Sequence, residues 1–419
     1  MPEFIGDLHI HGPYARACSK NTTLERLEIN ARIKGLNVLG TGDCLHPKWL
    51  EAIKTELKED ENGVLWSRNK FPFLWQTEIS LMYSQGEKGR RIHHILLFPN
   101  KEVVIQVRDL LLKRGRLDYD GRPIFGINSI EFVDMMRSVS SDIEIIPAHC
   151  LTPWFAIFGS KSGFDSVEEC FEDRAKYIHC IETGLSSDPS MIWRVSKLDR
   201  YNLVSFSDPH SYHPWRLGRE ATIFDTDLSY QAILNALRTG NGLNGTIEVN
   251  PHLGKYHLTG HRTCSVSIEP GEAVKSDYLC PKCHKPLTIG VAERIEEMAD
   301  RPVGYQPVHA KNFRTLLPLS ELLASLFGFS VTANRIQTEY ARLIQMFGSE
   351  FNLMLNTPET DLKKIDDPKI IKAILLNREG KIEIKEGYDG VYGVPVLDEK
   401  LIDKKMNVAQ RGLKEFIKD

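Results

Sequence analysis

Short apolar runs in the first half of the chain repeatedly end in an acidic or imidazole side chain. The first run ends in Asp7-Leu8-His9-Ile10-His11. Alternate residues of a strand share a face, so His9 and His11 are predicted to project together while Leu8 and Ile10 pack on the other side. A helical period over 23–34 is followed by a turn and a buried strand over 35–40, which empties into Thr41-Gly42-Asp43-Cys44. The run 73–77 delivers Glu78, and the run 91–98 opens with His93 and His94. Farther on, 143–148 ends at His149, and 203–207 ends at Asp208 and His210. Strands alternating with helices predict an α/β fold. In a barrel of that kind the strand ends converge on one face, where such folds keep their chemistry.

The pattern then changes. A helix over 228–238 closed by Gly240 is predicted to end the barrel, and Asn241-Gly242 and Asn244-Gly245 mark tight turns after it. Apolar spacings of three and four predict helices over 319–327, 332–346, 368–377 and 399–417. Alternation predicts a strand over 381–385, followed by a Gly/Tyr-rich loop over 387–393 that either approaches a nucleic acid or packs on the tail. The expected domains are therefore 1–240, a barrel; 241–303, a small metal module with its lead-in; and 304–419, mostly helical. No internal repeat is apparent.

The chain has 419 residues, 42% of them apolar and 26% charged, with a formal net charge of −3. That composition is ordinary for a water-soluble protein of two to four domains. It excludes a nucleic-acid footprint spread over the whole surface, but not a local one. The first strand begins by residue 4 and no apolar span approaches the roughly 20 residues of a membrane helix, so the expectation is a cytoplasmic, nucleoid-associated protein with no membrane partner. Lys88-Gly89-Arg90-Arg91 and Lys113-Arg114-Gly115-Arg116 are short basic segments, either phosphate contacts or solvated faces.

Eight cysteines divide into two populations. Cys18, Cys44, Cys150, Cys170 and Cys180 are scattered and read as small buried residues. His261-Arg262-Thr263-Cys264 and Cys280-Pro281-Lys282-Cys283 are two ligand pairs at the spacing of a zinc ribbon or knuckle. The expected ligands of one structural Zn²⁺ are His261, Cys264, Cys280 and Cys283, with His257 and His284 as alternatives for the fourth position.

The ordered set His9-x-His11, Asp43, Glu78, His94, His149 and Asp208-x-His210 resembles the PHP family of metal-dependent phosphoesterases. The full layout, with Gly218-Arg219-Glu220, Gly245-Thr246-Ile247-Glu248, Gly254-Lys255-Tyr256-His257, the Cys/His pairs and the helical tail, is similar to the endonuclease Q family of repair nucleases. The resemblance implies a distorted barrel of about seven β/α units. It also implies two or three divalent ions (Zn, Mn, Mg or Fe) on His9, His11, Asp43, Glu78, His94, His149, Asp208 and His210, with Glu78, Asp208 and His210 catalytic. The second motif departs from the family, because Asp43 is followed by Cys44 rather than His, which leaves open whether Cys44 or His46 contacts metal. His93 and His94 must face opposite sides of their strand, and the family pattern favours His94 as the ligand. The implied activity is hydrolysis of the phosphodiester 5′ to deaminated or abasic nucleotides (hypoxanthine, uracil, xanthine, an abasic site), with damaged DNA as partner. A sliding clamp is a further candidate partner, although no clamp-binding peptide is evident. Arg219 is a candidate phosphate contact, and Trp154 and Phe155 are candidate walls of a base pocket; the plain alternatives are a surface ion pair and a core aromatic cluster. Rival functions are a small-molecule phosphomonoesterase of the histidinol-phosphatase type and a non-catalytic DNA-binding scaffold.

Overall fold

The computed structural model describes residues 3–397. The helix expected over 399–417 lies outside the described residues. The α/β class holds, and the sheet is mixed rather than uniformly parallel. Phe4–Asp7, Val38–Gly40 and Pro72–Gln85 run parallel, as strand–helix–strand units require. From there Lys88–Phe98 turns back antiparallel on Pro72–Gln85, and Glu144–Pro147 pairs antiparallel with Lys88–Phe98. On the other side Ala221–Phe224 lies antiparallel to Phe4–Asp7 and is followed outward by Leu243–Glu248 and Phe313–Thr315. The sheet thus continues past residue 240. Cys180–Glu182 and Asn202–Val204 form a separate parallel pair.

The helices start and stop where side-chain chemistry dictates. Thr23 accepts from the Arg26 amide at the N-cap of Leu24–Lys34, and Gly35 ends that helix. Ser229 caps Tyr230–Thr239, and Gly240 closes it at φ 74°, as the sequence predicts. Leu8, Val38, Leu74, Ile95, Ile146, Val204 and Phe224 form one core cluster with the apolar face of that helix. The larger cluster joins Leu24, Leu27 and Phe73 to Leu319, Leu322, Leu343 and Ile374 of the C-terminal helices, so the tail shares the core of the sheet. Lys34 fastens the two at a polar point: its ammonium lies 2.7 Å from Glu350, with both side chains almost fully buried. Glu350 also accepts from the Tyr340 hydroxyl and the Leu319 amide. Losing one partner of such a pair costs about 3–5 kcal/mol, because it leaves a buried charge.

The 259–290 segment is built differently. A three-residue hairpin, Thr259–His261 against Val266–Ile268, and a core cluster of Val266, Ala273, Cys280 and Leu287 are its main scaffold. No helix among the described residues is long and apolar enough to cross a membrane.

Candidate active site and Cys/His cluster

His9 and His11 lie just past the first strand and point the same way, as their spacing predicts. Ring nitrogens of both, together with carboxylate oxygens of Glu78 and Asp208, fall within 4.8 Å of one another. His11 Nε2 is 3.2 Å from Glu78 and 3.0 Å from Asp208; His9 Nε2 is 3.6 Å and 3.8 Å from the same two carboxylates. The opposite ring nitrogens are held from behind. His9 Nδ1 meets Glu182 at 2.9 Å, and His11 Nδ1 meets Asp43 at 2.9 Å. Both Nε2 atoms and Asp208 Oδ1 are buried and face only one another and Glu78, with no well-aligned hydrogen bond among them. A carboxylate behind each imidazole, with the front nitrogens gathered against two further carboxylates, is the arrangement of metal-binding histidines, so the donor set fits a divalent ion in place of the Nε2 protons.

A second group of donors adjoins the first. Glu78 is shared, and His93 Nδ1 (2.8 Å) and His149 Nε2 (3.2 Å) converge on its other oxygen. Here the structure corrects the assignment of His94. In the hairpin register Glu78 sits opposite Ile95, so His93, two residues earlier, shares its face, while His94 opposite Ile79 must point away. His94 is buried between Phe132 and Phe171 with neither nitrogen bonded, and burial lowers its pKa to about 3, an ordinary neutral core residue. His93, also buried, is lowered to about 4 in spite of Glu78, which keeps a lone pair available.

The remaining candidates take graded positions. Both oxygens of Asp43 are engaged, one by His11 and one by the Gly12 amide at 2.7 Å, so it anchors His11 rather than facing the donor groups directly. His210 packs on His11 with ring centroids 5.0 Å apart and stands half-exposed at the mouth, its Nδ1 turned towards Asp208. Cys44 is buried in the core, and His46 stacks on Tyr14; neither joins a donor group. Asp7 lies behind the site and accepts from the Ser207 amide and hydroxyl and from the Gly218 amide. Arg219 is half-buried and braces the same loop by donating to the Ser207 carbonyl at 3.1 Å. Phe155 packs against His93 at 4.6 Å, and Trp154 meets Tyr256 edge-on at 5.2 Å. Of the basic segments, Arg90 is committed to the fold: it is buried over Phe164 and paired with Glu169.

Two site residues escaped sequence reasoning. Glu182 ends the strand Cys180–Glu182, the same signal of an apolar run closing on an acid; besides holding His9 it accepts from the His149 amide at 2.6 Å. Arg122 comes from a loop without periodicity and reaches Glu78 at 3.0 Å. Electrostatics bind the group together. Burial alone would raise Glu78 and Asp208, but the surrounding cations and imidazoles hold both well below the usual carboxylate range. Burial likewise disfavours charged His9 and His11, and the facing carboxylates more than reverse it.

Backbone geometry shows how tightly these groups are placed. Asp43, His149 and Asp208 all adopt positive φ, at 41°, 31° and 42°, a region that costs ordinary residues free energy and clusters at functional sites. Two glycines make room: a Cβ on Gly184 would lie 2.6 Å from that of His149, and one on Gly121 2.3 Å from Asp43 Oδ2.

Away from this site, His261, Cys264, Cys280 and Cys283 bring their donor atoms within 4.8 Å of one another, with His261 Nδ1 3.3 Å from Cys283 Sγ. Burial works against the Cys280 thiolate, yet the Lys282 and Cys283 amides help hold its pKa down to about 6, which suits a metal ligand.

Comparison with known proteins places this geometry. A family model described as the MJ0043 C-terminal domain matches residues 318–381. The chain is similar to endonuclease Q crystallised with a 27-mer duplex bearing an abasic lesion at the active site, at 30% identity and a TM-score of 0.86 over 98% of this chain and 100% of that one. The chain belongs to the endonuclease Q family. The lesion-specific endonuclease Q of Pyrococcus furiosus is 29% identical, with a TM-score of 0.85 over 98% of this chain and 99% of that one. YqxK of Bacillus subtilis is 28% identical over 413 residues, 94% of this chain and 99% of that protein. Protein MJ0043 of Methanocaldococcus jannaschii is 31% identical over 290 residues, 68% of this chain; the chain spans about a third of the length of that relative, 35%. The endonuclease Q likeness therefore extends over nearly the whole chain, whereas the family-model match falls on the C-terminal helices.

Proposed function

We propose that this chain is a metal-dependent DNA repair endonuclease that hydrolyses the phosphodiester 5′ to a deaminated or abasic nucleotide. The observation that carries the reading is the pair of donor groups sharing Glu78, with carboxylate-backed imidazoles whose front nitrogens converge on Glu78 and Asp208. Likeness to a lesion-bound endonuclease Q over nearly the full chain supports the class of substrate. The preferred lesion among hypoxanthine, uracil, xanthine and an abasic site belongs to this proposal, as do a sliding-clamp partner and nucleoid association.

His9, His11, Glu78, His93, His149 and Asp208 would hold two or three divalent ions. Such ions, when bound, supply the Lewis acidity that activates water and stabilises charge on the phosphoryl oxygens. The protein's own part is positional. Glu182 and Asp43 hold the Nδ1 protons of His9 and His11 and orient both rings, so that each Nε2, on giving up the proton that the facing carboxylates favour, would present a lone pair to a bound ion. Arg122, tethered to Glu78, has further N–H groups to orient a non-bridging phosphate oxygen. His210, half-exposed beside Asp208, donates from Nδ1 to the Asp208 carbonyl and burial keeps the ring neutral, so its Nε2 lone pair is the group we assign to take a proton from the attacking water. Phe155, packed on His93, and Trp154, packed on Tyr256, would supply aromatic faces for an extruded base to stack on.

In the domain division we favour, 1–240 is a distorted barrel of about seven β/α units wrapped round the Leu8, Ile95 and Phe224 core. Segment 241–303 would hold a structural zinc on His261, Cys264, Cys280 and Cys283, and 304–419 would be the DNA-contacting C-terminal domain, mostly helical over its described residues.

The test is a nicking assay on end-labelled duplexes carrying hypoxanthine, uracil, xanthine or an abasic site, with Mg²⁺, Mn²⁺ or Zn²⁺, comparing wild type with Asp208→Ala. The expected result is a nick on the 5′ side of the lesion that Asp208→Ala loses by at least ~10³-fold, the scale of a catalytic metal ligand. Hydrolysis of small phosphomonoesters with lesion-bearing duplex left intact would overturn the reading in favour of a phosphatase. DNA binding without cleavage in any metal would favour a scaffold.

A further inference from the structure

A fourth group of donors lies apart from the pair sharing Glu78 and from the Cys/His cluster. His252 and His257 bracket the Gly254-Lys255-Tyr256 turn, and Glu386 precedes the Gly/Tyr loop; one ligand atom from each falls within 4.8 Å of the others. The two imidazoles have ring centroids 4.4 Å apart, and His252 Nδ1 is 3.3 Å from Glu386 Oε1. His257 is 5% exposed, and its Nδ1 is buried with no hydrogen-bond partner. The same ring is hydrogen-bonded to the Ser186 main chain. By elimination that bond belongs to Nε2, which fixes the tautomer with the lone pair on Nδ1. A histidine whose far nitrogen is tied to main chain and whose near nitrogen is unpaired beside another imidazole and a carboxylate is posed as a ligand rather than as a donor.

We infer that His252, His257 and Glu386 form a further divalent-metal site, of the zinc type, distinct from the catalytic group and the Cys/His cluster. Two imidazoles and one carboxylate suit Zn²⁺, with solvent reaching the fourth position past the half-exposed His252. Small rotamer changes bring donors within 4.8 Å to the ~3.3 Å spacing of a tetrahedral shell with bonds of ~2.0–2.2 Å.

The site joins two stretches of chain more than 120 residues apart, which already meet through main-chain bonds. Gly387 donates to the His252 carbonyl, Gly390 to that of Lys255 and Gly393 to that of Leu253. A bound ion would lock the loop carrying Tyr388 and Tyr392 onto the turn that carries Tyr256, the residue packed on Trp154. Its role is thus to fasten an aromatic rim.

The test uses the full-length protein saturated with Zn²⁺, with anomalous difference density recorded at the zinc edge. A peak among His252, His257 and Glu386 is expected in wild type. It should vanish in Glu386→Gln and in His252→Ala, a half-exposed position chosen to spare the core, while density at the Cys/His cluster persists. In solution, hydrogen exchange at Gly387, Gly390 and Gly393 should slow by at least ~10-fold on adding Zn²⁺ to wild type and remain unchanged in either variant. No density at this position in the zinc-saturated wild type, or equal slowing of exchange in Glu386→Gln, overturns the inference and leaves a structural His–Glu contact.

Discussion

The group around Glu78 and the Cys/His cluster both gather metal-type donors within 4.8 Å, imidazoles with carboxylates in one and an imidazole with thiols in the other, yet they rest on opposite kinds of support. The first is suspended in an extended sheet whose strands are fixed by two core clusters, and each of its leading histidines is held by a carboxylate of its own. The second hangs on a three-residue hairpin and a core cluster of four small or medium side chains. The difference in support leads to the expectation that donor convergence is a product of folding around Glu78, whereas a bound ion would be a condition for folding at the Cys/His cluster.

Removing a proposed metal ligand from the weaker support should have the largest effect. Cys280→Ser, or chelation, is expected to abolish hydrogen-exchange protection over 259–290 while leaving the protection of Pro72–Gln85 and Lys88–Phe98 intact. The metal-coupled folding free energy of such modules is of order 10–16 kcal/mol. Global loss of protection would erase the contrast between the two regions.

The next test lies inside the strong support. His93→Ala is expected to lower nicking by more than ~100-fold, beyond the 10–100-fold that an orienting partner of a ligand is worth. His94→Phe, which swaps an unbonded core imidazole for an apolar ring beside Phe132 and Phe171, should keep activity within ~3-fold and stability unchanged or raised. The reverse ranking would show that the hairpin register has been misread.

The smallest effect concerns pH. Glu248 is buried, and burial raises its pKa to about 8 against the hydroxyls of Thr246, Ser205 and Thr183, which pull it down. A carboxyl held protonated by the fold contributes its full stability below its ordinary value near 4.5 and loses it as pH rises through about 8. Thermal unfolding of wild type should therefore fall between pH 5 and 8.5, and Glu248→Gln should flatten that fall, by a few °C for a domain of this size. An unchanged slope would mean that the carboxyl is already charged at neutral pH.

Residues whose role follows from local period were legible without coordinates. His9 and His11 converge because their spacing is two, Gly240 closes its helix, and the two Cys/His pairs meet as their spacing predicts. His93 was lost to a parity decision: which imidazole faces Glu78 depends on the length of the turn between two strands, a non-local quantity. The two-residue turn at Gly86-Glu87 sets Glu78 against Ile95 and so selects His93. Glu182 carries the same signal as Glu78, an acid closing a short apolar run, but its strand is only three residues long. Arg122 carried none, since its place is set by tertiary packing of an irregular loop. The mixed strand directions were likewise hidden, because a buried apolar run reads the same in a parallel and an antiparallel neighbour.

The left-handed backbone at Asp43, His149 and Asp208 has a consequence for how such a protein can change over generations. Each of these positions costs the fold about 1–3 kcal/mol that a glycine there would relieve. Selection for thermal robustness alone would thus erode the very side chains that hold the donor groups together, and selection for hydrolysis must keep restoring them. The deep cores under the sheet and the buried Lys34–Glu350 pair are what let the chain carry that burden.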